Sequence, residues 1–141
     1  MTTLVLTDAS RVIGGLVLLT VPGIQFGGYF LLRIHGGTYN FNDFQKAFAR
    51  AMHAHAGVLV ILSLVCLLLA DAAGLTGFFG WTGRLGVPLA ALLIPGGFAA
   101  SALVGKGEIT KPNRFIWLIG AGAVTLAVGV LSVGIGLLAA A

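Results

Sequence analysis

The chain has 141 residues, room for one compact domain. Hydrophobic residues make up 58% of it and charged residues 9%, where a soluble domain carries roughly a quarter charged, so most of the surface must face lipid. The net charge of +4 does not point to nucleic acid. The basic residues stand at the ends of apolar runs, and no basic patch interleaves with aromatics in a polar stretch.

Met1–Ser10 carries Asp8, no basic cluster and no small-x-small cleavage site, so the first apolar run is expected to stay in the protein. Four runs reach the roughly 20 apolar residues that a helix needs to cross about 30 Å of hydrocarbon. They are residues 11–33, 49–69, 85–104 and 115–138. Helices are required because the bilayer core has no water to satisfy backbone groups. The predicted fold is therefore all-α, a four-transmembrane-helix bundle in one membrane domain. So thin a bundle is expected to assemble as a homo-oligomer.

The first connector, 34–46, is polar and aromatic, with His35, Gly36, Gly37, Tyr39 and Asp43. The second, 71–84, is short, and its Phe78, Phe79 and Trp81 suit an interface belt. The third, 105–113, is the most polar; Pro112 can occupy the first turn of the helix that follows. Arg33, Lys46, Arg50, Lys106, Lys111 and Arg114 flank the first and third connectors, against Arg11 and Arg84 on the other side. This asymmetry predicts both termini outside a bacterial plasma membrane, with connectors 34–46 and 105–113 cytoplasmic. Gly23-x-x-x-Gly27 and Gly28 in the first span, and Gly120, Gly122, Gly129, Gly134 and Gly136 in the fourth, allow close helix packing. Pro88 and Pro95 are expected to bend the third span.

Polar groups within a membrane are costly and so informative. The candidates are Gln25, expected to bond a neighbouring helix, Arg50, His53 and His55 entering the second span, Ser63 within it, and Ser101 in the third. Cys66 lies in an apolar run and reads as a small hydrophobe. His35 reads as a loop histidine. There is no nucleophile–histidine–acid set, and Asp8, Asp43, Asp71 and Glu108 lie outside the spans or at their ends.

His53 and His55 are two residues apart, about 200° round a helix, so they cannot chelate one small metal ion from one face. A zinc helix places its histidines four apart. Ala51, Ala54, Ala56 and Gly57 leave little bulk beside the two imidazoles, which suits a large flat cofactor. Haem would take one histidine as axial ligand, and Arg50 and Lys46 could meet its propionates. The alternative is that both histidines link helices by hydrogen bonds.

The segment Arg50–Gly57, with its His55-Ala-Gly57, resembles the Arg-Ala-His-Ser-Gly stretch that opens the second helix of styrene oxide isomerases. Pro112-Asn113-Arg114 is similar to a Pro-Asn-Arg between helices three and four of that family. The resemblance implies a trimeric four-helix membrane enzyme with haem b held between subunits. In that family the iron acts as a Lewis acid, opening an epoxide to an aldehyde. On the histidine-to-glycine spacing the ligand maps onto His55; aligning on the arginine instead lands on Met52 and keeps His53 as a second candidate. The family's substrate-positioning asparagine corresponds to Ile61, and the aspartate and tyrosine of its third helix have no counterpart in 85–104. The resemblance therefore supports haem binding, with His55, His53, Arg50 and Gly57 as cofactor residues, more than it supports isomerase chemistry. A more distant likeness to the membrane-associated eicosanoid and glutathione metabolism proteins fails at the polar set that grips glutathione, of which only Arg50 remains. A second functional reading is a non-catalytic accessory subunit of a larger membrane complex. Gln25, Ser63 and Ser101 are too few to line a transport path.

Overall fold

In the computed structural model, residues 5–104 and 108–141 are described. Lys106, one of the orientation charges, lies outside the described residues. The elements are α1 (Asp8–Leu19), α2 (Val21–His35), α3 (Asp43–Ala72), α4 (Gly77–Ala102), a 3-10 turn (Arg114–Ile116) and α5 (Trp117–Ala139). All regular structure among these residues is helical, and four helical stretches are long and apolar enough to cross a membrane.

The first span is two helices end to end. α1 stops at Thr20, whose hydroxyl donates to the Val17 carbonyl at 2.7 Å, and α2 restarts with Pro22 in its first turn. A proline there loses no helical hydrogen bond, so the chain breaks just before it and resumes as α2. Only 6% of this span's apolar window is buried, against 44% for α4. The first span therefore leans on the other three from outside, and α4 is the centre of the bundle.

α3 is longer than its apolar run because Asn42 and Gln45 form a reciprocal capping box. That cap starts the helix at Asp43, six residues before the expected 49. The other end closes on Gly74, whose φ of +60° permits bonds from Gly74 N–H to the Asp71 carbonyl and from Leu75 N–H to the Ala70 carbonyl. The turn to α4 is thus four residues, and Phe78, Phe79 and Trp81, expected in a connector, are exposed side chains on the first turns of α4. α4 runs as one helix through Pro88 and Pro95.

α4 and α5 pack most closely. A Cβ on Gly86 would lie 2.6 Å from Gly129 Cα, so the two backbones touch there. Gly122 meets Ile94, and Gly136 meets Leu75 from the turn. Glycines 122, 129 and 136 recur every seven residues and so form one face; Gly120 and Gly134 look into open space. The core joins Leu59, Cys66 and Ala70 of α3 to Val87, Ala90 and Ile94 of α4 and Val133 of α5.

Pro112 stands before the last span rather than in its first turn. Asn113 does the work of the Pro-Asn-Arg motif. Its side-chain oxygen accepts from Phe115 N–H at 2.8 Å, and its amide donates to the Ala100 carbonyl at 2.8 Å. Its backbone N–H donates to the Ser101 carbonyl at 2.9 Å. One residue therefore caps the new helix and ties it to the end of α4.

Candidate functional site

The two histidines stand near the start of the uncharged stretch of α3. Ala51 to Ala70 carries no charge and, at 1.5 Å per residue, covers about the 30 Å of the hydrocarbon core. His53 and His55 lie about 3 and 6 Å along the helix from the start of that stretch. As the spacing requires, they face different neighbours.

His53 points at α2. A Cβ on Gly27 would come within 3.3 Å of His53 Nδ1, and one on Gly28 within 3.3 and 3.4 Å of Cε1 and Nε2. Two successive glycines therefore admit the ring close to the α2 backbone, and the ring also lines a cleft between the first span and the α3–α4 pair. His53 makes no hydrogen bond to a described residue, and its nitrogens are not sealed off.

His55 turns toward α4, where its ring lies 5.2 Å from that of Phe98, which in turn meets Phe48 edge-on. Its Nδ1 is 2.7 Å from the Ala51 carbonyl oxygen. A carbonyl can only accept, so Nδ1 carries a proton, and in the neutral imidazole Nε2 is then the nitrogen with the lone pair. His55 is exposed in the single chain, as are Ala54, Val58 and Ile61 on the adjoining outer face of α3. This is how proteins prepare an imidazole to bind a metal: the far nitrogen is anchored, fixing tautomer and ring orientation, and the near one is free.

The accompanying cations divide differently from the sequence expectation. Arg50 is about 60° and Lys46 about 20° round α3 from His53, but about 140° and 180° from His55. Arg50 is exposed, and Lys46 pairs with Asp43 at 3.7 Å. Within one chain they accompany His53 and do not flank a group bound at His55. Gly57 is open, with nothing near its Cβ position. Among the described residues no three His, Cys, Asp or Glu side chains converge. A porphyrin asks the protein for one axial ligand, and one exposed, anchored imidazole meets that need.

Other polar candidates are occupied locally. Ser63 is buried and donates to the Leu59 carbonyl at 2.7 Å; Ser101 is buried near the Phe98 carbonyl. Gln25 does not bond a neighbouring helix of its own chain: it is exposed on α2. His35 is exposed, but it is the last residue of α2 rather than part of a loop.

Sequence reasoning missed one polar cluster at the opposite end of the bundle. Arg84, counted above as an orientation charge, is buried and pairs with Asp71 at 2.6 Å, their side chains 9% and 1% exposed. Its Nε donates to Ser10 Oγ at 3.1 Å, and its Nη1 donates to the Leu75 and Gly80 carbonyls. Asp71 also accepts from Thr7 N–H at 2.9 Å and from the Thr7 hydroxyl. The cluster latches the start of α1 to the α3–α4 turn. An acid and a base at facing ends of successive spans, joined by a tight turn, were the available signal.

Between the first span and the α3–α4 pair lies a cleft of about 500 Å³. Val17, Gly27, Val60, Pro88, Leu92 and Gly96 are among its walls, and His53 and Thr20 are its only polar side chains. Exposed Leu92 and Gly96 mark its open side. Comparison of the chain with protein-family models, curated proteins and solved structures finds no match.

Proposed function

We propose that this chain is a haem b-binding integral membrane protein with His55 as the axial ligand. The observation that carries the reading is the 2.7 Å contact from His55 Nδ1 to the Ala51 carbonyl, which leaves Nε2 of this exposed residue without a partner among the described residues. Alanines 51 and 54 beside it add little bulk, and the outer face of α3 is apolar and open. The group would lie on that face and be closed over by another copy, a trimer by the resemblance to styrene oxide isomerases. His53, which lies beside α2 and opens on the inner cleft instead of the outer face, is the second candidate. Bound there, haem supplies a Lewis-acid or redox centre for a small apolar substrate arriving from lipid. Epoxide-to-aldehyde isomerisation would have to proceed with Ile61 where the family has its asparagine. The membrane is a bacterial plasma membrane in this reading, with connectors 34–46 and 105–113 on the cytoplasmic side.

The test is the absorption spectrum of protein expressed with added haem precursor and purified in mild detergent. A Soret band is expected, lost in His55→Ala and kept in His53→Ala. Colourless protein, or a band indifferent to His55, refutes the proposal.

A further inference from the structure

His53 is the one side chain on the cleft wall whose hydrogen-bonding capacity is uncommitted. The other polar group there, the Thr20 hydroxyl, already donates to the Val17 carbonyl. Inside the hydrocarbon, an imidazole without a partner is costly, and water is scarce. The remaining walls are hydrocarbon, and the open side at Leu92 and Gly96 faces lipid. At about 500 Å³ the cleft is several times larger than a cavity of about 150 Å³ that holds one benzene. His53 lies near the membrane boundary, while Val60, seven residues further along α3, lines the cleft about 10 Å deeper. The uncommitted polar group is thus at the shallow end beside α2, and the rest of the described lining is apolar apart from the Thr20 hydroxyl already bonded to Val17.

We infer that this cleft binds an uncharged, lipid-soluble molecule that carries an oxygen function at one end, hydrogen-bonded to His53, with its hydrocarbon body extending along α3 and α4. Among the described residues no cation or anion lines the cleft itself, and Arg50, the nearest cation on that side of α3, is exposed outside it. A plain acyl chain would fill the volume but leave the imidazole unsatisfied. The site is separate from the haem proposal: His53 and His55 project about 200° apart, so the cleft and the His55 face lie on different sides of α3. Gly27 and Gly28 leave room for the His53 ring beside α2, which sets the end of the cleft at which the oxygen sits.

The experiment uses full-length protein in lipid nanodiscs, with protein-free nanodiscs of the same lipid as baseline. The probes are 1-tetralone and tetralin, a bicyclic ketone and the hydrocarbon without its carbonyl. Wild type is expected to bind tetralone about tenfold more tightly than tetralin, the effect of one well-placed hydrogen bond. His53→Leu should remove that preference while tetralin binding stays, and His53→Gln should keep part of it. Gly96→Leu adds a side chain at the open side, where nothing lies within 4 Å of the Cβ position, so it narrows the entrance without a backbone clash and should weaken binding of both probes. Equal binding of the two probes by wild type would show an ordinary lipid-filled groove and overturn the inference. A preference that survives His53→Leu, binding undiminished by Gly96→Leu, or no uptake above baseline would each do the same. The Soret band assigned to His55 should be unchanged in all three variants, so failure here and failure of the haem proposal are separable.

Discussion

Asp71→Ala is the substitution with the clearest expected effect on stability. It removes the carboxylate paired with Arg84 at 2.6 Å and leaves a guanidinium whose side chain is 9% exposed. Ser10 Oγ and the Leu75 and Gly80 carbonyls still bond it, but none of them neutralises its charge. The same change frees Thr7, which donates to Asp71 through its backbone and its hydroxyl, and so loosens the start of the weakly packed first span. Breaking one side of a buried ion pair costs about 3–5 kcal/mol. A loss of about 3 kcal/mol is expected here, read from helical circular dichroism during SDS unfolding in mixed micelles. Asp71→Leu combined with Arg84→Met should recover most of it, because an apolar pair no longer strands a charge. Asp43→Ala, which breaks only the exposed pair with Lys46, should unfold like wild type. An Asp71→Ala protein as stable as the Asp43→Ala protein would refute the latch.

Gly86→Leu should destabilise by about 2 kcal/mol or more in the same assay, since its Cβ would press on Gly129 Cα, whereas Gly134→Leu, in open space, should be tolerated. Asn113→Ala removes a helix cap and the amide bond to Ala100, and should cost about 1–2 kcal/mol. On a Cys66→Ala background, a cysteine at Thr38 should react with a membrane-impermeant maleimide only after cells are permeabilised, and one at Thr76 should react in intact cells. The reverse pattern would invert the proposed orientation.

The spans were legible because lipid imposes a length and an apolar character that few other environments ask for. Their ends were not, because charged Asp43, Lys46 and Arg50 look like connector while the Asn42–Gln45 capping box carries the helix through them. The opposed directions of His53 and His55 follow from helical geometry alone. Which helix each faces depends on how α2 and α4 flank α3, and the sequence holds only faint traces of that in Gly27-Gly28 and Phe98. Arg84 was misread for a related reason. A positive charge at the end of a span ordinarily reaches water, and its burial needs three partners contributed by α1, α3 and the turn between α3 and α4. Gln25 shows the converse limit: a polar residue deep in a span reads as a helix–helix contact, yet within this chain it faces outward.

The central claim is that iron is held through the imidazole of His55, and resonance Raman spectra of the reduced, haem-loaded protein address it directly. The account predicts an iron–histidine stretching band in wild type and in His53→Leu, its absence in His55→Gly, and its return when free imidazole is added to that variant. A band that persists in His55→Gly without added imidazole, or that vanishes in His53→Leu, would contradict it.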